Sequence, residues 1–163
     1  MGSDKVFRGN ASQLFVAGEL CRRGYSAVVT LGNTPNVDVL CSNLNGTRFA
    51  HVQVKTFVPG NRTCSVGIKA ERDFGPSFFW ILAGITAPES ERPFEYYVIP
   101  SADMATHVAA EHAAWLAAPG VKGQERRDSK MRIVHLPPRV SPGGWDLAPY
   151  RDQWQLLEDH LRE

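Results

Sequence analysis

NVDVLCSNLNGTRFAHVQVKTF, residues 36–57, is the stretch that decides the fold. Residues 37–41 are apolar apart from Asp38, and within residues 48–57 the run HVQVK (51–55) alternates between polar and apolar positions. Both patterns belong to strands with at least one buried face. Between them, Asn45-Gly46 carries the strongest short-range hairpin signal, so the two strands are expected to be antiparallel neighbours. Working outward, residues 10–23 place Leu14, Ala17, Leu20 and Cys21 at helical spacing, with Gly24 as a stop. Residues 26–31 (SAVVTL) form a first strand, and residues 32–36 (GNTPN) are turn chemistry.

Downstream, residues 59–62 read as a loop and residues 64–69 as a short strand. Residues 78–85 (FFWILAGI) are almost continuously apolar, which marks a strand buried on both faces. Residues 94–99 form a neighbouring strand. Ser101 stands where an N-cap belongs, ahead of an alanine-rich helix at residues 102–116 with Met104, Val108 and Trp115 in one stripe. Residues 131–136 suit a last strand, and residues 152–162 a terminal helix bearing Trp154, Leu156 and Leu157. The reading is an α/β fold: one domain over residues 1–163, with a central mixed sheet flanked by the first and the alanine-rich helices.

Composition narrows the classes. The chain is 43% hydrophobic and 21% charged, ordinary for a folded domain. Its formal charge of +1 gives no bulk attraction to nucleic acid, so any such affinity must be local. Cys21, Cys41 and Cys64 form no CxxC pair and read as buried free thiols, which suits a reducing cytoplasm. No N-terminal stretch joins basic residues to a long apolar run, and no apolar run is long enough for a bilayer; neither secretion nor a membrane is expected.

Strand alternation puts His51, Gln53 and Lys55 on one face of their strand, with Val52 and Val54 on the other. The hairpin then brings Asp38 across to Gln53 and Lys55. An aspartate between two valines is costly in a core strand. It could form a plain cross-strand ion pair with Lys55. Alternatively, the Asp38 carboxylate, the Gln53 amide oxygen and the Val54 carbonyl could hold Mg²⁺ or Mn²⁺, with Lys55 orienting a water or neutralising charge.

These residues also carry a resemblance. The helix, strand and hairpin leading to Asp38 and Gln53-Val54-Lys55 resemble the core of the PD-(D/E)xK nuclease superfamily, a restriction-endonuclease-like fold. GNASQLFVAGELCRRGY (residues 9–25), NVDVL (36–40) and VQVKTF (52–57) are similar to a set of small bacterial proteins with a QVK version of that motif. So are YYVIPSADM (96–104) and the WLAAPG…KG run (115–123). The resemblance implies metal-dependent hydrolysis of DNA phosphodiesters, with Asp38 as metal ligand and Lys55 as catalytic lysine. Gln53 stands where a glutamate is usual. Gln13 occupies the place of the helix glutamate, and Glu19 is the one carboxylate on that helix, about 120° round from it; both would support the catalytic site from the helix. DNA is the implied partner, and a homodimer with one site per strand is the implied assembly. The two amides also leave open a catalytically weakened protein of the same fold that binds nucleic acid or serves as a partner subunit in defence or repair.

Residues 121–133 carry Lys122, Arg126, Arg127, Lys130 and Arg132 against Glu125 and Asp128. This is either a phosphate-contacting loop or a solvated one. His51 could touch a phosphate or serve packing. His107 and His112 are wrongly spaced for two ligands on one helix face and read as packing residues, and the four tryptophans read as core or interface.

Overall fold

A computed structural model describes residues 2–32 and 34–162; Asn33, within the turn expected at 32–36, lies outside the described residues with the two chain-end residues. Helix α1 (Gly2–Arg22) is followed by strands β1 (Ser26–Val29), β2 (Val39–Ser42), β3 (Phe49–Phe57) and β4 (Thr63–Ser65). A 3-10 turn (Ile68–Glu71) precedes β5 (Phe78–Gly84) and β6 (Glu95–Pro100), then come α2 (Ser101–Ala117), β7 (Ile133–His135) and α3 (Trp154–Leu161). The main sheet runs β1-β2-β3-β5-β6, and β4 pairs with β7 in a small second sheet. β3 pairs antiparallel with β2 and parallel with β5, so the sheet is mixed, as expected.

The hairpin closes between Ser42 and Phe49. Its loop is organised by Asn43, whose side-chain oxygen accepts the Thr47 and Arg48 N–H groups, with Gly46 in the left-handed region at φ 67°. From that pin the register follows: Val39 faces Val52, and Val52 faces Phe79 on β5.

Two cores cover the two sheet faces. Val39, Cys41, Val52, Val54, Ile81 and Val98 pack with Val16, Ala17 and Leu20 of α1 and with Trp154, Leu157 and Leu161 of α3. On the opposite face Phe78, Trp80, Leu82, Tyr97 and Ile99 pack with Met104 and Val108 of α2 and Val134 of β7. Each fully buried aliphatic side chain contributes about 1.5–3 kcal/mol, so this double layer is what holds the hairpin flat against β5. A Cβ on Gly84 would lie 2.6 Å from the Phe57 ring, so this closing position of β5 has room only for glycine.

Several expectations need correction. α1 starts at Gly2 rather than at residue 10, because its first turns carry exposed Val6 and Phe7 and have no buried stripe to read. Its buried side is Ser12, Val16, Ala17 and Leu20, while Leu14 and Cys21 are exposed. Residues 64–69 do not form one strand: β4 ends at Ser65 and the chain coils into the 3-10 turn. Ser101 is the first residue of α2 rather than its cap, and its hydroxyl accepts the Phe74 N–H at 2.8 Å. Trp115 is 37% exposed, and Glu111 takes the next buried place in the stripe. Among the described residues no helix is long and apolar enough to cross a membrane.

Candidate active site

β2 leaves β3 at Val39, and the chain before it bends. Asn36 sits at φ 65°, Asp38 donates its N–H to Val52 O at 2.8 Å, and its carbonyl accepts Thr30 N–H at 2.9 Å. The Asp38 backbone is therefore fixed from β1 and from β3 at once. Thr30 adds a hydroxyl bond to Val37 O at 2.5 Å. Because of this bend Val37 does not follow Val39 into the α1 core; it packs with the core on the other face.

The Asp38 carboxylate takes over where the ladder stops. Its Oδ2 accepts the Val54 N–H at 2.7 Å and an N–H of the Gln53 carboxamide. The β2–β3 ladder ends at Val39↔Val52, so the Val54 carbonyl, which shares an edge with its N–H, has no strand opposite it. Asp38 Oδ1 and the Gln53 carboxamide oxygen accept no hydrogen bond among the described residues. Burial pushes the Asp38 carboxyl above the usual carboxylate range, and the Val54 N–H, the Lys55 charge and the Gln53 amide offset only part of that.

Lys55 is half-buried on the same side of β3 as Gln53, in register with Leu82. It forms no ion pair within 4 Å among the described residues. The plain Asp38–Lys55 salt bridge is thus not the arrangement adopted; the aspartate is held by amides and the ammonium stays available. Lys55 also acts on Cys64, whose thiol burial nonetheless pushes up to about 12. His51, half-buried, lies farther along the strand opposite Leu40 and Phe78.

The helix residues divide. Ser12 of α1 touches β3 directly, with its hydroxyl 2.6 Å from that of Thr56, one residue beyond Lys55. Gln13, next to it, is half-buried but bonds to none of Asp38, Gln53 or Lys55. Glu19 is held elsewhere. Its carboxylate bonds Arg22 at 2.7 Å and Arg23 at 2.7 Å, and Arg23 continues to Glu158 of α3 at 3.0 Å. The structure therefore brings together Asp38, Gln53, Val54 and Lys55, and leaves Glu19 at the far end of its helix.

Sequence reasoning missed Thr30, which fixes the Asp38 backbone, and the link between Lys69 and Asn36. Lys69 Nζ reaches Asn36 Oδ1 at 2.7 Å, tying the 3-10 turn to the bend before Asp38. Neither contact leaves a periodic trace, because both arise where strand geometry breaks down. In the basic segment, Arg132 is buried and paired with Glu71, so it is not a free cation. Arg126 lies over the Trp115 ring, 4.8 Å from its centroid, while Lys122, Arg127 and Lys130 are exposed.

As a cation site the cluster offers oxygens only: one carboxylate, one carboxamide and one main-chain carbonyl. That chemistry fits a hard ion such as Mg²⁺ or Mn²⁺, with a single formal charge. To reach a cation shared with Asp38, the Gln53 oxygen must replace the N–H that now faces the carboxylate. No cluster of three or more His, Cys, Asp or Glu side chains suited to a metal occurs among the described residues.

No protein-family model and no curated protein sequence matches the chain. Solved structures do. A bacterial homing endonuclease, I-Ssp6803I, superposes with a TM-score of 0.53 at 16% identity, over 95% of this chain and 92% of that one. A Holliday junction resolvase from the archaeon Archaeoglobus fulgidus, Hjc, superposes with a TM-score of 0.45 at 15% identity, over 86% and 93% of the two chains. At this identity the likeness to the homing endonuclease is one of fold: the chain has a restriction-endonuclease-like α/β architecture.

Proposed function

We propose that the protein is a metal-dependent endonuclease that hydrolyses DNA phosphodiesters at Asp38, Gln53 and Lys55. One observation carries this reading. The Asp38 carboxylate, the Gln53 carboxamide and the unpaired Val54 edge of β3 converge where β2 peels away, with a free lysine two residues along the same face as Gln53. The shared architecture with an endonuclease supports it.

Asp38 and the carboxamide oxygen of Gln53, with the Val54 carbonyl, would hold the cation. When bound, such an ion supplies a Lewis acid for the phosphodiester and a water of lowered pKa. The chain's own contribution is positional. Asp38 is fixed at both backbone groups and its carboxylate is held by the Val54 N–H, so the side chain starts in the position from which it would bind the cation. Lys55 presents its ammonium to the attacking water or to a non-bridging phosphate oxygen, where a cation in a half-buried site is worth more than in bulk water. His51 lies on the approach along β3 and would meet a neighbouring phosphate.

One measurement favours a second reading if it fails: nicking of supercoiled plasmid with Mg²⁺ and with Mn²⁺, beside Asp38→Ala and Lys55→Ala. Wild-type nicking that both substitutions reduce at least about 100-fold fits loss of one electrostatic contact in a polar transition state. No wild-type nicking with either metal overturns the enzyme reading. The site's single carboxylate then points to a weakened protein of the same fold that binds nucleic acid without cutting it.

A further inference from the structure

A concave site lies on the α2 side of the molecule, away from Asp38. It is a cavity of about 310 Å³ between α2 and the segment running into β7, within the size range of small-ligand pockets. Val108, Met131 and Ile133 give it an apolar lining, and Trp115 forms one wall. Trp115 is oriented by His112, which also lines the cavity, with ring centroids 5.6 Å apart, and by the Arg126 guanidinium. The ring is held in place and still 37% exposed, so part of it is open to a stacking partner.

The polar lining includes a closely placed pair, Glu111 and His135. Glu111 is buried, at 6% exposure, although glutamate seldom sits in a helix's core stripe. Its Oε2 accepts the Gly143 N–H at 2.8 Å, but its Oε1 meets only His135 Nδ1 at 3.9 Å, too far for a hydrogen bond. That Nδ1 is itself buried without a partner. The imidazole nitrogen is thus a buried polar atom with its hydrogen bond unmet, which carries a standing cost, and the Glu111 Oε1 beside it accepts no hydrogen bond among the described residues.

The segment that supplies Ser129, Met131, Arg132 and Ile133 to the lining also carries Lys122, Arg127 and Lys130, all exposed, and Arg126, against Glu125 and Asp128, the latter paired with His112 at 2.7 Å. The pocket is also joined to the Asp38 site through the 3-10 turn. Glu71 pairs with Arg132 on the pocket wall, and Lys69 bonds Asn36 two residues before Asp38.

We propose that this pocket receives one unpaired nucleobase of a DNA substrate. The base stacks on Trp115, and its exocyclic amino group donates to Glu111 Oε1. A lone carboxylate oxygen selects a base that carries an exocyclic amino group, which cytosine does and thymine does not. The flanking phosphates then fall on the lysines and arginines of the neighbouring segment. The inference rests on the nuclease reading only for the choice of DNA as ligand, and binding can be measured without cleavage.

The test is fluorescence anisotropy in EDTA, with a labelled duplex bearing one bulged deoxycytidine and the same duplex bearing an abasic site at the bulge. The wild type binds the cytosine bulge about tenfold tighter, within the range of one base stacked on an aromatic side chain. Trp115→Ala and Glu111→Gln each bring that ratio close to one. Trp115 is partly exposed, so its variant keeps the test valid if Glu111→Gln perturbs the fold. Equal wild-type affinity for the two duplexes, no binding of either, or a preference that survives Trp115→Ala overturns the proposal. Plasmid nicking uses fully paired DNA and reports on the cleavage site alone, so the two proposals fail separately.

Discussion

At the residue scale the informative atom is Asp38 Oδ2, which does two jobs at once. It replaces the missing strand partner of the Val54 N–H, and it accepts the carboxamide N–H of Gln53, the position at which the sequence resemblance expects a glutamate. A glutamine at position 53 relieves charge repulsion beside a desolvated aspartate whose carboxyl is already pushed upward by burial. Gln53→Glu makes that trade visible. Without metal it loses an N–H bond to a charged acceptor and sets two carboxylates together, a cost of about 1–3 kcal/mol. With Mn²⁺ the second carboxylate binds the cation more tightly, so the metal raises its stability more than it raises that of the wild type. Urea unfolding of both proteins in EDTA and in Mn²⁺ checks this, and an unchanged stability in EDTA would refute the account of Gln53. The three residues Asp38, Gln53 and Lys55 were legible in the sequence because strand alternation and one hairpin turn suffice to bring them together. The bond pattern around Asp38 was not, because it depends on a bend at Asn36 that no alternation encodes.

At the scale of elements, α1 and α3 share one face of the sheet, and a short ion-pair chain joins their ends: Glu19 to Arg23, and Arg23 to Glu158. The sequence correctly places a helix near residues 10–23 but offers Glu19 to the catalytic site. Periodicity gives the phase of a helix only as well as its buried stripe is known, and here the stripe lies at Val16, Ala17 and Leu20 rather than through Leu14 and Cys21. The Arg22 guanidinium holds the Glu19 carboxyl below the usual glutamate range; desolvation opposes this and Arg23 adds to it. A depressed carboxyl contributes stability that is complete above its unfolded pKa and is lost as pH falls through its folded pKa. Glu19→Gln therefore lowers Tm at pH 7 by the equivalent of about 0.5–1 kcal/mol, since the cluster is only partly buried. The gap to wild type closes as pH drops from about 4.5 downward. Thermal unfolding from pH 7 to pH 3 measures it, and a gap independent of pH would show that Glu19 acts by packing alone. Plasmid nicking by this variant at pH 7 stays at the wild-type level, because Glu19 has no contact with Asp38 or Lys55.

For the whole molecule the question is how a chain of formal charge +1 could hold a polyanion. Net charge supplies no long-range pull, so affinity must come from cations that are exposed and not already paired. The structure sorts them. Arg22 and Arg23 are committed to carboxylates, Arg132 is buried against Glu71, and Arg126 is laid over Trp115. Lys122, Arg127 and Lys130 are exposed and make no ion pair among the described residues, and all three lie in one segment next to the α2 pocket. The sequence shows that segment's charge but not which of its cations are spent, because pairing is decided by distant partners such as Glu71. Each phosphate neutralised by a lysine or arginine changes the slope of log K against log salt by about 0.9. Replacing Lys122, Arg127 and Lys130 by alanine together should flatten the slope for duplex DNA by about 0.9 for every phosphate no longer neutralised, in EDTA, across roughly 50–200 mM salt. A parallel line displaced to weaker affinity would mean that the segment acts through shape rather than charge. An unchanged line would mean that this segment neutralises no phosphate and that the proposed DNA path lies away from α2.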